Sequence, residues 1–287
     1  MYKTLASVLK EAEELDYTVG AFNAHNLEMV PSMIEAARDS GSPIIIQTSV
    51  STARYVGMSN FVAVCKSMSD KEAVDVVLHL DHAKDLTDIK DAIDAGYSSV
   101  MFDGSLLPFK ENIAKTKRVI EYAHGHGASV EAEIGTIGGT EEGFTVKEGQ
   151  YTDPKDAVEF VKECDVDALA VGIGTHHGQF QSKTKLNFPL LEEIHSDIDK
   201  PLVVHGGTGV NEDDYHRLTE NGIRKFNVGT ELLVAWTKTA QEYFGKTEVN
   251  NSLRNNIIPC NKAVHDIIKH KIDLFMNKKS PIPAVTE

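Results

Sequence analysis

The chain is short of cysteine, has a single tryptophan, carries far fewer cations than anions, and contains no long apolar run. Each shortage excludes something. The three cysteines, Cys65, Cys164 and Cys260, form no CxxC pair and are odd in number. A disulfide framework is therefore not expected, and a reducing cytoplasm is the natural setting. Each cysteine falls in a helical pattern and is read as a small buried hydrophobe. Lys plus Arg total 29 against 43 Asp plus Glu, a net charge of −14. Such a surface repels nucleic acid and anionic membranes, so neither is expected as a partner. A small anionic substrate stays allowed, because a local ring of cations or backbone N–H groups can override the global field. No stretch approaches the roughly 20 apolar residues of a membrane span. The opening MYKTLASVLKEAEELD is amphipathic and acidic, unlike a signal peptide. No Pro/Ser-rich linker or low-complexity run divides the chain, and 41% hydrophobic content can bury a full core. Residues 1–287 are read as one domain.

What recurs along the chain is a short β-rich run, a polar loop and a helical pattern. The runs are Tyr17–Phe22, Pro43–Thr48, Val74–Leu80, Ser98–Phe102, Ser129–Glu133, Ala168–Gly172, Pro201–Val204 and Lys225–Asn227. Most are continuously apolar, as parallel strands covered on both faces must be. Pro108, and Pro154 behind Asp153, mark helix starts. Gly41, Gly96, Gly127 and Gly222 mark helix ends. Eight such units predict a (β/α)8 TIM barrel, with an extra helix before strand one and another at Ile258–Asn277. A doubly wound open sheet is the competing architecture, and no GxGxxG follows strand one to support it. Trp236, Tyr243 and Phe244 are read as core or interface residues, with core preferred.

In a barrel, chemistry gathers at the carboxyl ends of the strands. Here those ends carry Asn23-Ala-His-Asn26, His79-Leu-Asp-His82, Asp103-Gly-Ser105, Glu131 and Glu133, Gly174-Thr-His-His-Gly178, His205-Gly-Gly-Thr-Gly209 and Asn227-Val-Gly-Thr230. The opposite ends hold nothing comparable. Three histidines from three strand ends form an open metal site of the catalytic zinc type: His82, His205 and one of His176 and His177, which spacing alone does not separate. His79, inside strand three, is read as a core residue or a partner of a ligand, pointing away from the metal. Asp81 is placed for proton transfer to a metal-bound oxygen. The glycine-rich segments after strands seven and eight predict a phosphate site built from N–H groups.

These segments, in this order and over nearly the whole chain, resemble the class II, metal-dependent aldolases of ketose bisphosphates. The nearest subgroup is that of fructose-bisphosphate and tagatose-bisphosphate aldolases. Val19-Gly-Ala-Phe-Asn-Ala-His-Asn26, Leu78-His-Leu-Asp-His82, Ser98-Ser-Val-Met-Phe-Asp-Gly-Ser105 and Val130-Glu-Ala-Glu-Ile-Gly135 carry the likeness with the three later segments. The resemblance implies reversible cleavage of a ketose 1,6-bisphosphate to dihydroxyacetone phosphate and glyceraldehyde 3-phosphate. It implies Asp81 as proton donor and acceptor at the C4 oxygen, Glu141 as the loop acid at C3, and His82, His177 and His205 as zinc ligands. It links Asp103 and Glu133 to a second divalent-metal position. Asn23, Gly178, Gly206, Gly207, Thr208, Asn227, Val228, Gly229 and Thr230 become substrate contacts, with a monovalent cation (Na+ or K+) near the phosphate. Arg254 resembles an arginine that meets the distal phosphate, although Ser252 replaces the usual acidic residue before it. A homodimer or homotetramer is implied.

The chain departs from the family pattern at Ala83, at His176, at Glu142 and at Gln181, which stands where a lysine is common. None of these touches the implied ligands or Asp81, so they bear on the sugar rather than on the reaction. A Schiff-base aldolase would need a buried lysine at a strand's carboxyl end, and Lys225 instead begins strand eight. Two further alternatives are a zinc aldolase for a phosphorylated keto-deoxy sugar acid and a non-catalytic sugar-phosphate sensor.

Overall fold

A computed structural model of the chain describes residues 1–141, 144–147, 149–178, 185–246 and 252–276. The strands are β1 (Val19–Asn23), β2 (Ile44–Ser49), β3 (Val76–Ala83), β4 (Ser99–Phe102), β5 (Ser129–Ile134), β6 (Gly138–Glu141), β7 (Phe144–Val146), β8 (Ala168–Val171), β9 (His176–His177), β10 (Leu202–Val204) and β11 (Ile223–Val228). The helices are α1 (Leu5–Leu15), α2 (Met29–Ser40), α3 (Val50–Val56), α4 (Met58–Glu72), α5 (Leu86–Ala95) and α6 (Phe109–Gly125). Then come α7 (Pro154–Glu163), α8 (Phe188–Asp197), α9 (Tyr215–Glu220), α10 (Thr230–Lys246) and α11 (Leu253–Phe275). Eight strands close into one parallel barrel in the order β1-β11-β10-β8-β5-β4-β3-β2. Closure excludes the open doubly wound sheet. All eight strand positions expected from the sequence are occupied, with ends that move by a few residues.

The apolar runs are explained by two cores on opposite faces of the same strands. Ile44, Ile46, Val76, Leu78 and Leu80 face outward into the layer between barrel and helices. Ile45, Val77, Val19, Ala21 and Val203 face the lumen, where they meet Leu5, Val8, Leu9 and Ala12 of α1. That first helix therefore plugs the amino-terminal end of the barrel. Ser129 Oγ accepts from Ala6 N at 3.0 Å, and Arg224 reaches Glu13 at 2.7 Å, tying the plug to β5 and β11.

Along each strand the lumen-facing set changes from apolar to polar toward the carboxyl end: Val77, His79, Asp81 on β3, and Ala21, Asn23 on β1. One end of the barrel is thus a dry core and the other a polar mouth. Cys65, Cys164 and Cys260 are buried and free, and burial pushes the Cys65 thiol up to about 12. The terminal helix starts at Leu253, five residues earlier than expected, and carries Pro259 inside it. Tyr243 and Phe244 are 43% and 48% exposed, against the core reading, because α10 turns that end outward; Trp236 packs against the core and donates to Asn261 Oδ1. Among the described residues, no helix is long and apolar enough to cross a membrane.

Candidate active site and metal centre

The mouth is shaped by an irregularity in β3. Regular alternation would send Asp81 and His82 to opposite faces of the sheet. Instead the pairing of β3 with β4 slips between Leu80 and Ala83, and His82 adopts a left-handed φ of 49°. A β-bulge of this kind re-aims a side chain. Asp81 keeps its inward direction, and the His82 ring swings into the same mouth.

There it meets His205 and His177. Ring centroids lie 4.6 Å apart for His82 and His205 and 5.1 Å apart for His82 and His177. One donor atom from each of the three falls within 4.8 Å of the others, and His82, Asp103 and Glu133 form a second such group. His177, rather than its neighbour, belongs to the set. The His176 ring lies against Gly138 of β6.

Hydrogen bonds fix which nitrogen the His205 and His82 rings present. A carboxylate only accepts, so Glu131 Oε1, 2.7 Å from His205 Nε2, accepts from the N–H there and leaves Nδ1 with its lone pair. Asp103 Oδ2 does the same to His82 Nδ1 at 3.3 Å. The two remaining nitrogens, His205 Nδ1 and His82 Nε2, face each other at 2.8 Å. Two lone pairs converging beside a third imidazole are the donor set of a cation, and carboxylates behind the rings are how such ligands are commonly held. The residues fit a divalent metal of the zinc type.

The carboxylates are tuned for this. Burial opposes ionisation of Asp103, but its hydrogen bonds from His82 and Ser105 hold it well below the usual carboxylate range. Burial also opposes ionisation of Glu131, but the Lys225 ammonium and the His205 hydrogen bond outweigh it and hold the carboxyl well below the usual carboxylate range. Burial lowers His205 and, reinforced by Lys225, brings His79 down to about 3, so both rings stay neutral.

Asp81 is 2% exposed and lies at the centre of an amide fan. Its Oδ2 accepts from Gln47 Nε2 at 2.8 Å and Asn23 Nδ2 at 3.2 Å, and its Oδ1 accepts from Asn227 Nδ2 at 3.4 Å. Asp81 also lines a cavity of about 240 Å³ with Asn23, His177, Gly178, Gly206, Gly207, Thr208, Asn227, Gly229 and Thr230. Gly229 is required by close approach, since a Cβ there would sit 2.6 Å from Asn23 Oδ1. Helix α10 begins at Thr230, so its N-terminal N–H groups open onto this cavity. A second cavity of about 270 Å³ lies on the other side of the histidines, lined by Arg54, His82, Lys84, Asp103, Glu133 and His177, with Gly139 and Val146 of the β6–β7 hairpin over it.

Most residues singled out from the sequence thus meet in one mouth. The Val228 side chain packs in the outer core, so only its backbone is available to a ligand. Arg254 is exposed on the first turn of α11 and lines neither cavity. Glu141 ends β6, paired with Phe144; its side chain, Glu142 and Gln181 lie outside the described residues. His79 shares the inward face of Asp81 one layer below, bonded to Ser99 Oγ at 2.7 Å, instead of pointing away from the mouth.

Sequence reasoning passed over Gln47 and set Lys225 aside. Strand β11 starts at Ile223, which puts Lys225 mid-strand and facing the lumen, fully buried, 2.9 Å from Glu131. Counting in twos back from Asn227 would have found it. The amine is held by Glu131 and Asn227 beneath the ligands and lines neither cavity, which is the wrong place for a Schiff base.

Comparison with known proteins gives a consistent picture. The family model described as fructose-bisphosphate aldolase class-II matches residues 3–280. The D-tagatose-1,6-bisphosphate aldolase subunit GatY of Klebsiella oxytoca is 39% identical over 268 residues, 93% of this chain and 94% of that one. The crystal structure of the YdjI aldolase from Escherichia coli K12 superposes with a TM-score of 0.84 at 32% identity, covering 96% of this chain and 97% of the other. A fructose-bisphosphate aldolase from Campylobacter jejuni shares the fold, with a TM-score of 0.80 at 20% identity over 96% and 95% of the two chains.

Proposed function

The chain belongs to the class-II fructose-bisphosphate aldolase family, and from that premise we propose that it reversibly cleaves the C3–C4 bond of a fructose or tagatose 1,6-bisphosphate. Dihydroxyacetone phosphate and glyceraldehyde 3-phosphate are the products. The observation that carries this reading is the convergence of three imidazoles and Asp81 beside a cavity edged by a helix N-terminus.

His82, His177 and His205 would hold the zinc, with Asp103 and Glu133 as donors for a second divalent position. Bound there, the metal supplies Lewis-acid polarisation of the substrate carbonyl. The remaining work falls to the chain. Asp81 takes the proton of the C4 hydroxyl as the C3–C4 bond breaks; C4 becomes the aldehyde carbon of glyceraldehyde 3-phosphate, and the bonding electron pair stays on C3 of the half that becomes dihydroxyacetone phosphate. Gln47, Asn23 and Asn227 keep the Asp81 carboxylate aimed by donating to both its oxygens. Glu141 returns a proton to C3. Gly178, Gly206, Gly207, Thr208 and the Asn227–Thr230 segment offer N–H groups, with the start of α10, to the dihydroxyacetone-phosphate phosphate, beside which a monovalent cation would sit. Arg254 is assigned to the distal phosphate on the family resemblance alone, since it lines neither cavity, and α11 or the substrate's far end must close the gap. We place the enzyme in the cytoplasm, with residues 1–287 as one catalytic domain of a homodimer or homotetramer.

The test is cleavage of fructose 1,6-bisphosphate and tagatose 1,6-bisphosphate in parallel, before and after chelation and zinc add-back. Zinc-dependent cleavage is expected, and the ratio of the two kcat/KM values assigns the sugar. A folded, zinc-loaded protein that cleaves neither would refute the proposal.

A further inference from the structure

Beneath the histidines lies a charged cluster that the proposed reaction does not use. Lys225, Glu131 and His79 are all fully buried inside the barrel lumen. They come from β11, β5 and β3, none of which are neighbours in the sheet, so their contacts span the lumen. Lys225 Nζ lies 2.9 Å from Glu131 Oε2 and donates to Asn227 Oδ1 at 2.7 Å. Burying such a pair carries a desolvation cost on each ion, and apolar side chains of the same volume would fill the space without it. Packing alone does not account for the pair.

Its two contacts lead to the two halves of the site. Lys225 acts on His205 through Glu131, whose Oε1 accepts from His205 Nε2 at 2.7 Å, the bond that leaves the lone pair of His205 Nδ1 facing His82. Through Asn227 it reaches Asp81. An ammonium only donates, so it fixes Asn227 with Oδ1 toward Lys225 and Nδ2 toward His205 Nδ1 at 3.2 Å and Asp81 Oδ1 at 3.4 Å. A turned Asn227 would set its carbonyl against the carboxylate. His79 does not replace this charge, because its ring is neutral and 3.6 Å from Glu131.

We propose that Lys225 is a positioning residue that sets both the metal ligand His205, through Glu131, and the proton-transfer group Asp81, through Asn227. The second half rests on the aldolase reading; the first requires only the metal site.

The test compares full-length wild type with Lys225→Met and Glu131→Gln by four readouts. These are the zinc Kd from chelator competition, the visible spectrum of the cobalt-substituted protein, the NMR signals of the Asn227 side-chain amide, and kcat with KM at saturating zinc. In Lys225→Met the zinc Kd should rise about 10–100-fold, the cobalt bands and the Asn227 amide signals should shift, and kcat should fall about 100-fold with KM little changed. Glu131→Gln should move the zinc Kd and cobalt bands, with a much smaller fall in kcat and a smaller shift of the Asn227 amide signals than in Lys225→Met, because Asn227 keeps Lys225 and feels only His205. If Lys225→Met does not fold, the Lys225→Met/Glu131→Gln double variant removes both buried charges at constant volume and should show both defects. Wild-type zinc affinity, cobalt spectrum, amide signals and kcat in a folded variant would overturn the proposal. Failure of wild type to cleave either sugar would sink the aldolase reading, while the Kd, cobalt and amide readouts still decide on Lys225.

Discussion

Replacing Asp81 by Asn keeps the side-chain volume and removes a proton acceptor, and the hydrogen-bond geometry allows both consequences to be sized. Oδ2 has two donors, Gln47 at 2.8 Å and Asn23 at 3.2 Å, so the surviving oxygen will turn to that side. The new NH2 then faces Asn227 Nδ2, donor against donor, and Asn227 cannot turn without releasing Lys225. Asn227 Nδ2 keeps His205 Nδ1 at 3.2 Å, so one buried hydrogen bond is lost and the new amide donor is left unsatisfied, about 1–3 kcal/mol of stability and a Tm lower by a few degrees. The effect on catalysis is larger. Loss of a general base costs about 10²–10⁴ in rate, or about 3–5 kcal/mol at 1.36 kcal/mol per decade. Steady-state cleavage kinetics, bound zinc by elemental analysis and a thermal melt on one preparation would separate the two. The expectation is full zinc content, a small drop in Tm and a collapse in kcat. A kcat within about tenfold of wild type would remove Asp81 from proton transfer, and loss of zinc would show that its role is structural.

Two further outcomes follow from the same geometry. At Gly139, where φ is +107° and a Cβ would sit 2.2 Å from His177 O, alanine should separate β6 from β9. Faster amide exchange across Gly138–Glu141 and a kcat lower by about 100-fold are expected, and wild-type exchange would refute the contact. Burial, with Lys225, lowers the His79 ring to about 3 in the folded chain, against about 6.5 unfolded. In that window the unfolded chain binds the extra proton, so stability of the metal-stripped protein should fall as pH drops, by up to about 1.4 kcal/mol per unit. Urea melts of wild type and His79→Gln should show a shallower slope in the variant; equal slopes would mean that His79 is not responsible.

The sequence by itself determined the barrel and the end of it that carries chemistry. Both follow from local rules. A parallel strand buried on both faces must be apolar in sequence, as in Ile44-Ile45-Ile46, and the polar residues that follow each run mark its carboxyl end. That was enough to bring Asp81, His82, His205 and Asn227 forward. The family resemblance then chose between His176 and His177, a choice that spacing had left open.

Tertiary structure decided what depends on register and on distances across the lumen. Strict alternation would separate Asp81 from His82; the slip in β3 at a left-handed His82 brings them into one mouth, and no residue type there announces it. In the sequence Lys225 reads as the first residue of a short strand ending at Asn227, whereas the strand runs from Ile223 to Val228 and puts it in the middle. Its meaning lies in Glu131, three strands away around the barrel, and a one-dimensional pattern records which face a side chain takes but not which side chain it meets there.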